Sequence, residues 1–414
     1  MPSIQRMIIA TLLAITIAAL GVCAEQLEFP PDVGTNHLGV LWPGSDPEYE
    51  GAWVRPHPGP FVWGRIERIP GTYDWREPDL VVEKLQGQRL AVLATVWPFA
   101  SWDQRACHLS EPPARGAFKE FDDLLYMPCD MPGYLAWLAA LVERYDGDGV
   151  DDMPGLAYPI RHWEVLNEPE MQGPQLTFFQ EPPDVYGVLL RASYHAITTA
   201  DPLAVVLPAG QSGMHREATA YWRSVLQDET VPFDLGNIHS IRATDMQQES
   251  AFGAPEYLAF LADTGRSDVG YWITEAQVGA VGSKGQMTDT RSAEALFIGT
   301  VTALAEGAEV ILHVLANDPK GEKGHAAVDT ANLLGRMIGT FARVERLSRY
   351  AIRFDLPGGE QIYALWKGAA LPAEVVGTVA LTTYLGTTST MDAREVAAAV
   401  PLLAEPLPTE KQSP

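Results

Sequence analysis

The chain has 414 residues, 47% of them hydrophobic, and a net charge of −24 at neutral pH. That is enough apolar material for one large globular domain with a small appendage, and too much for a disordered chain. So acidic a protein argues against nucleic acid and anionic membrane surfaces as partners, and it names no ligand.

Arg6 is followed by an apolar run from Met7 to Leu20 and then by Val22-Cys23-Ala24. A basic start, an apolar stretch and a small-residue end read as a signal peptide over residues 1–24, which makes the protein secreted or periplasmic. Cys23 offers a lipid anchor as the lesser reading, because Val22 stands where a small residue is expected. The run is marginal against the about 20 residues that span a bilayer, and no other segment is apolar enough, so no transmembrane segment is expected after signal removal.

From there the pattern is strand, then helix, repeated. Strand candidates are His37–Trp42, Ala52–Arg55, Leu90–Val96, His162–Leu166, Val205–Pro208, Leu235–His239, Gly270–Thr274 and Glu309–Val314. Helical stretches at Pro78–Gln86, Pro132–Tyr145, Asp184–Thr199, Thr219–Gln227, Pro255–Asp263 and Arg291–Glu306 alternate with them, and a last helix is expected from about Ala326 to Arg346. Between Trp42 and Ala52 there is room for only a stub of a helix. Continuous apolar strands read as parallel and buried on both faces. Eight such units within about 320 residues fit an α/β (β/α)₈ TIM barrel better than an open doubly wound sheet.

Past Leu347 the texture changes. Tyr350–Leu356, a Pro357-Gly358-Gly359 turn and Gln361–Trp366 form a hairpin signal, and Val375–Tyr384 and Met391–Pro401 look like further strands. The division expected is therefore a signal peptide at 1–24, a catalytic barrel at 25–346, a small β appendage at 347–405 and a disordered tail at 406–414.

Two strand candidates end abruptly on a carboxylate: Trp163-Glu164-Val165-Leu166-Asn167-Glu168-Pro169-Glu170 and Tyr271-Trp272-Ile273-Thr274-Glu275-Ala276. In a (β/α)₈ barrel, groups at the C-terminal ends of strands lie at the open rim. Two such glutamates, ending the fourth and seventh strands, meet the needs of a retaining glycosidase, one as acid/base and one as nucleophile. Glu164 shares the inward face of strand four by period two and is a candidate supporting partner; Glu170 reads as a rim residue.

Asn167-Glu168-Pro169 after an apolar strand, with Glu275 ending a later one, resembles clan A of the glycoside hydrolases. Trp63-Gly64-Arg65-Ile66-Glu67 and Gly71-Thr72-Tyr73-Asp74-Trp75 are similar to runs in bacterial members related to families 5 and 39. The resemblance implies a retaining hydrolase of β-linked oligo- or polysaccharide, with Glu168 as acid/base and Glu275 as nucleophile. It further implies that Asn167 binds the sugar 2-hydroxyl, that Arg55 orients Glu275 and keeps it ionised, and that His239 lines the same pocket. Members of the clan often carry a tyrosine two residues past the strand-six histidine and a tryptophan ending strand eight. This chain has Ile241 and the run Leu315-Ala316-Asn317-Asp318 there. Trp97, Trp102 and Gln277 are candidates to replace those contacts, and Trp97, ending strand three, reads equally as sugar platform or core.

Two rival readings stand beside hydrolysis: a transglycosylase on the same scaffold, and a non-catalytic carbohydrate-binding protein that kept the barrel. No organic cofactor is implied, and no His/Cys spacing of a zinc site is present. Asp146-Gly147-Asp148-Gly149-Val150-Asp151-Asp152 partly matches a calcium loop, which gives Asp146, Asp148 and Asp151 as structural calcium ligands against the alternative of a solvated turn. Cys107 and Cys129, 22 positions apart in one long loop, are either a disulfide of an exported protein or two unrelated thiols.

Overall fold

Eight short apolar runs lie side by side as parallel strands in the computed structural model, which describes residues 26–42, 51–115, 121, 123–242, 251–278, 289–315 and 325–408. They are β1 (Leu38–Trp42), β2 (Trp53–Pro56), β3 (Ala91–Val96), β4 (His162–Val165), β5 (Val205–Pro208), β6 (Gly236–Arg242), β7 (Tyr271–Val278) and β8 (Ala308–Val314). Their order is β5-β4-β3-β2-β1-β8-β7-β6, so the first and last strands meet. The two ends of that order, β5 and β6, are closed just past β5, where Gln211 pairs with Ile238: the Gln211 N–H donates to Asn237 O at 3.2 Å and the His239 N–H to Gln211 O at 2.7 Å. The sheet is thereby a barrel, and the fold class is the (β/α)₈ one.

Helices cover the outside: α1 (Trp63–Ile66), α2 (Arg76–Gly87), α3 (Ser101–Cys107), α4 (Met131–Glu143), α5 (Pro183–Ala200), α6 (Arg216–Leu226), α7 (Ala254–Asp263), α8 (Asp289–Ala305) and α9 (His325–Ile338). Their starts follow from sequence. Asp130 accepts the Gly133 N–H at the head of α4, and prolines stand in the first turns of α4, α5 and α7, where no N–H is needed. Two buried tyrosines tie helices to strand ends. The Tyr186 hydroxyl on α5 donates to Val165 O and accepts from the Ala209 N–H; the Tyr257 hydroxyl on α7 accepts the Asn237 N–H at 2.8 Å. Tyr186 thus fixes the level at which β4 and β5 end, and Tyr257 the level at which β6 begins.

The core has two parts. One shell fills the space between strands and helices and includes Trp63, Trp97, Trp137, Trp163 and Phe252. Inside the barrel a second, smaller cluster holds Trp53, Leu93, Leu207, Trp272, Val310 and Leu312.

A six-stranded antiparallel sheet follows: β9 (Arg343–Ser348), β10 (Ala351–Asp355), β11 (Gln361–Leu365), β12 (Thr378–Thr383), β13 (Thr388–Asp392) and β14 (Leu402–Pro406), in the order β13-β12-β14-β11-β10-β9. Ile352, Phe354 and Trp366 join the barrel's shell, while Tyr363, Leu365 and Val379 form the sheet's own core. The last helix is shorter than expected. It stops at Ile338, where the next carbonyl, that of Gly339, is taken by the His37 N–H instead of a following turn. Residues 343–348 instead pair antiparallel with β10, so the second sheet starts inside the span assigned to the barrel. The strand expected over Met391–Pro401 is largely absent: β13 ends at Asp392, Ala393–Glu395 make a 3-10 turn, and β14 begins only at Leu402, while Pro406 closes a central strand rather than opening a tail.

The signal peptide with Cys23, the connection at 43–50, the run 316–318 and the tail from 409 lie outside the described residues. Among the described residues no helix is long and apolar enough to cross a membrane. Cys107 and Cys129 form a disulfide that ties the end of α3 to the start of α4.

Candidate active site

Inside the barrel, one level above the Trp53–Trp272 plug, the side chains turn polar. Arg55 on β2 is the hub and is fully buried. Its Nε donates to Glu164 at 2.7 Å, Nη1 to Glu275 at 2.7 Å and Nη2 to Asn167 Oδ1 at 2.7 Å. Three forked donors held in one plane are what guanidinium supplies and an ammonium does not. Glu164 is also fully buried, and its second partners are the Thr95 hydroxyl and the Asn237 amide, the latter at 2.6 Å. The expectation of a supporting role for Glu164 matches this placement.

Glu275 reaches the site through an irregularity. Asn237 stands opposite Trp272 and Ile238 opposite Ile273, but His239 stands opposite Glu275, so Thr274 is an extra residue in β7. Such a bulge lets two consecutive side chains face the same way. Thr274 thus reaches Asn237 and His239 inside the barrel while Glu275 beside it reaches Arg55. Glu168 arrives by a strained turn. Leu166 and Glu168 both take left-handed backbone conformations, with φ of 73° and 35°. Non-glycine residues held there cost on the order of 1–3 kcal/mol each and collect at functional sites.

Glu168 and Glu275 meet across His239. The ring Nδ1 lies 2.7 Å from Glu168 Oε1 and 3.8 Å from Glu275 Oε1, and one oxygen of each carboxyl lies within 4.8 Å of the other and of the ring. Room for the ring depends on Gly210, where a Cβ would fall 1.9 Å from His239 Nε2.

Burial raises Glu168 to about 8; Arg55 works against this and Glu164 adds to it. Burial also raises Glu275, but His239 and Arg55 pull it back, and its direct ion pair with Arg55 makes it the first of the two to ionise. Burial lowers His239 to about 4, leaving the ring neutral above that pH. With Glu164 and Glu275 both paired to the one Arg55, a further negative charge on Glu168 would have no cation to meet it. The same closeness could gather a metal cation at Glu168, His239 and Glu275, but the adjacent Arg55 charge opposes it.

The other candidates are placed as follows. Asn167 is buried, its Oδ1 is held by Arg55, and its Nδ2 has no partner among the described residues. Gln277 lies largely buried near the end of β7, two residues past Glu275. Trp97 is fully buried, with its N–H donated to Pro58 O at 2.7 Å and its ring against Phe121 and Phe178. It packs beneath the mouth, and no face is left open for a sugar platform. Trp102 donates to Glu67 O and packs edge-on against Trp63, again as packing. Ile241 is 44% exposed, on the outer part of the rim. Glu170 is half-buried, with Oε1 accepting the Ser212 N–H at 2.6 Å, and burial raises it to about 7.

The aspartate run corrects one ligand. The carboxylates that gather are Asp146, Asp148 and Asp152; Asp151 stands outside the group, its backbone turned left-handed at φ 49°. These carboxylates accept N–H groups of the same turn, from Gly147, Asp148, Gly149 and Val150, which is how they close it.

Three contributors escaped the sequence reading: His57, whose Nδ1 lies 3.3 Å from Arg55 Nη1, and the pair Thr274 and Asn237. Asn237 stands two residues before His239 on one strand, a period-two signal that could have found it.

No family model matches the sequence, and no curated protein matches it. Solved structures match it along most of its length. A family 39 glycoside hydrolase from Bacteroides cellulosilyticus WH2 superposes with a TM-score of 0.63 at 14% identity, over 90% of this chain and 81% of that one. The chain has the fold of these hydrolases. A glucosidase from Croceicoccus marinus gives 0.60 at 14% identity, over 90% and 95% of the two chains. An alpha-L-arabinofuranosidase from Thermotoga maritima gives 0.55 at 12% identity, over 92% and 96%. The neighbours act on different sugars, so the shared glycosidase barrel fixes architecture and leaves the sugar to the site.

Proposed function

We propose that the protein is an exported retaining glycoside hydrolase that cleaves a β-linked glycan by double displacement. The observation that carries this reading is the pair Glu168 and Glu275, buried at one rim with carboxylate oxygens within 4.8 Å and with opposite surroundings. Retaining enzymes place their carboxyls about 5–5.5 Å apart, whereas inverting ones leave about 6.5–9.5 Å for a water. Glu275, ionised against Arg55, attacks the anomeric carbon. Glu168, protonated at neutral pH, gives its proton to the leaving oxygen and then takes one from the water that releases the sugar. Asn167, held by Arg55 through Oδ1, offers Nδ2 to the sugar 2-hydroxyl. The Cys107–Cys129 disulfide supports export into an oxidising compartment.

The test is a panel of aryl β-glycosides with the wild-type chain and Glu275→Ala. The wild type is expected to hydrolyse at least one, the variant to lose turnover on the order of 10⁴-fold or more, and azide to restore part of it as glycosyl azide. Unchanged turnover in the variant removes Glu275 as nucleophile. No hydrolysis by the wild type across the panel favours the binding-protein reading, and transfer to added sugar in preference to water favours transglycosylation.

A further inference from the structure

His239 sits between two groups whose hydrogens can be counted. On one side, Asn237 Nδ2 points at two acceptors, Glu164 Oε1 at 2.6 Å and Pro208 O at 3.0 Å. Reversing the amide would set its oxygen against two other oxygens, so Nδ2 and Oδ1 are assigned. Asn237 Oδ1 then faces Thr274 Oγ1 at 2.7 Å and must accept its proton. Among the described residues the only other oxygen acceptor near that hydroxyl is Glu164 Oε1 at 3.3 Å, so in either case the single Thr274 proton points away from His239. The 2.9 Å contact between Thr274 Oγ1 and His239 Nε2 therefore needs its hydrogen from Nε2.

Burial and the neighbouring Arg55 charge keep the ring from taking a second proton, and a neutral imidazole protonated on Nε2 has a bare lone pair on Nδ1. That lone pair lies 2.7 Å from Glu168 Oε1. Two acceptors do not hold that distance, so the hydrogen between them belongs to the Glu168 carboxyl.

We propose that Thr274 and Asn237 are positioning residues which lock His239 as the Nε2–H tautomer and, through it, keep the catalytic proton on Glu168. This rests on Glu168 acting as acid/base, but the tautomer itself does not. With the lock in place, an ionised Glu168 would face a lone pair. It therefore holds its proton until a leaving oxygen takes it, and it is a stronger base when water must be activated. Other charged and titratable groups face the ring: Glu275 from β7, Arg55 from β2, Glu164 from β4 and His57 beside Arg55. None of them supplies a hydrogen to Nε2, and Gly210 lies against that edge with no side chain.

The test compares wild type, Thr274→Val and Thr274→Ser. Valine keeps the shape and removes the acceptor, so Nδ1–H facing an ionised Glu168 becomes the better arrangement; serine keeps the hydroxyl. Nitrogen-15 NMR of histidine-labelled protein, with His239 assigned by its loss in His239→Gln, reads the tautomer directly. The wild type and Thr274→Ser are expected to show protonated Nε2, and Thr274→Val protonated Nδ1. In the pH profile of kcat/KM, the alkaline limb of Thr274→Val should move down by about one pH unit, an about fivefold loss at pH 8 that approaches about tenfold at higher pH with little at pH 5, and serine should restore it. Protonated Nδ1 in the wild type overturns the proposal, as does a Thr274→Val profile that keeps the wild-type limb. Absence of glycosidase activity in the wild type would refute the hydrolase reading and leave the NMR result to decide the tautomer.

Discussion

Trp53, Leu93 and Trp272 fill the lower barrel, whereas Arg55, Thr95 and Thr274, two residues further along the same strands, fill the next level up. The strands and their twist are shared; the chemistry is not. In the lower level the two indoles pack edge-on at 4.7 Å and leave both ring nitrogens without partners among the described residues. In the upper level every side-chain polar atom of Glu164, Asn237 and Thr274 is paired. The lower level is thus specified by volume and the upper by an inventory of donors and acceptors. A substitution that conserves volume should pass in one and fail in the other.

The largest effect is expected at Arg55. Arg55→Met keeps length and apolar volume but leaves Glu164 and Glu275 buried without their cation, which costs about 3–5 kcal/mol of stability. Denaturant unfolding monitored by tryptophan fluorescence measures it; a loss under about 1 kcal/mol would mean the upper level is not held by charge. Trp272→Ala should cost a similar about 3–5 kcal/mol through the cavity it leaves. The difference is that the folded fraction should keep the wild-type pH profile, because no upper-level partner is removed.

pH separates the levels next. Glu168, raised to about 8 from an ordinary 4.5, gives support that is complete below about 4.5 and lost as pH rises through about 8. His162 below and His239 above are lowered to about 3 and about 4 from 6.5, so their support is present above 6.5 and lost as pH falls through those values. Both levels therefore weaken in acid, and only the upper one weakens in alkali. Above pH 8, kcat/KM should fall about tenfold per pH unit as the general acid loses its proton. A rate that stays flat to pH 10 would exclude Glu168 as the acid.

The smallest effects make the sharpest pair. Leu93→Met in the lower level should cost under about 1.5 kcal/mol, a volume-conserving change. Thr95→Val, two residues on, removes the hydroxyl that donates to Glu164 and should cost about 1–3 kcal/mol. Equal costs at the two positions would erase the distinction between the levels.

The strands were readable because each is a continuous apolar run, which burial on both faces demands. Glu168 and Glu275 were readable because a carboxylate ends each run where a barrel opens; Arg55 and His239 were named only through the resemblance to clan A. The one-residue bulge at Thr274 was not, since a single inserted residue leaves no mark in a run that is apolar on both faces. Trp97 was left open between sugar platform and core, as strand position alone does not say what covers a ring; Phe121 and Phe178 do. The end of α9 was missed because Arg343–Ser348 suits either helix or strand until β10 is there to pair with it.

The most direct test of the central claim is the anomeric configuration of the first-formed product, followed by proton NMR during hydrolysis of an aryl β-glycoside. Glu168 and Glu275, with oxygens within 4.8 Å, predict the β-anomer first, with the α-anomer growing only by later mutarotation. An α-anomer formed first would contradict double displacement and with it the roles given to both glutamates.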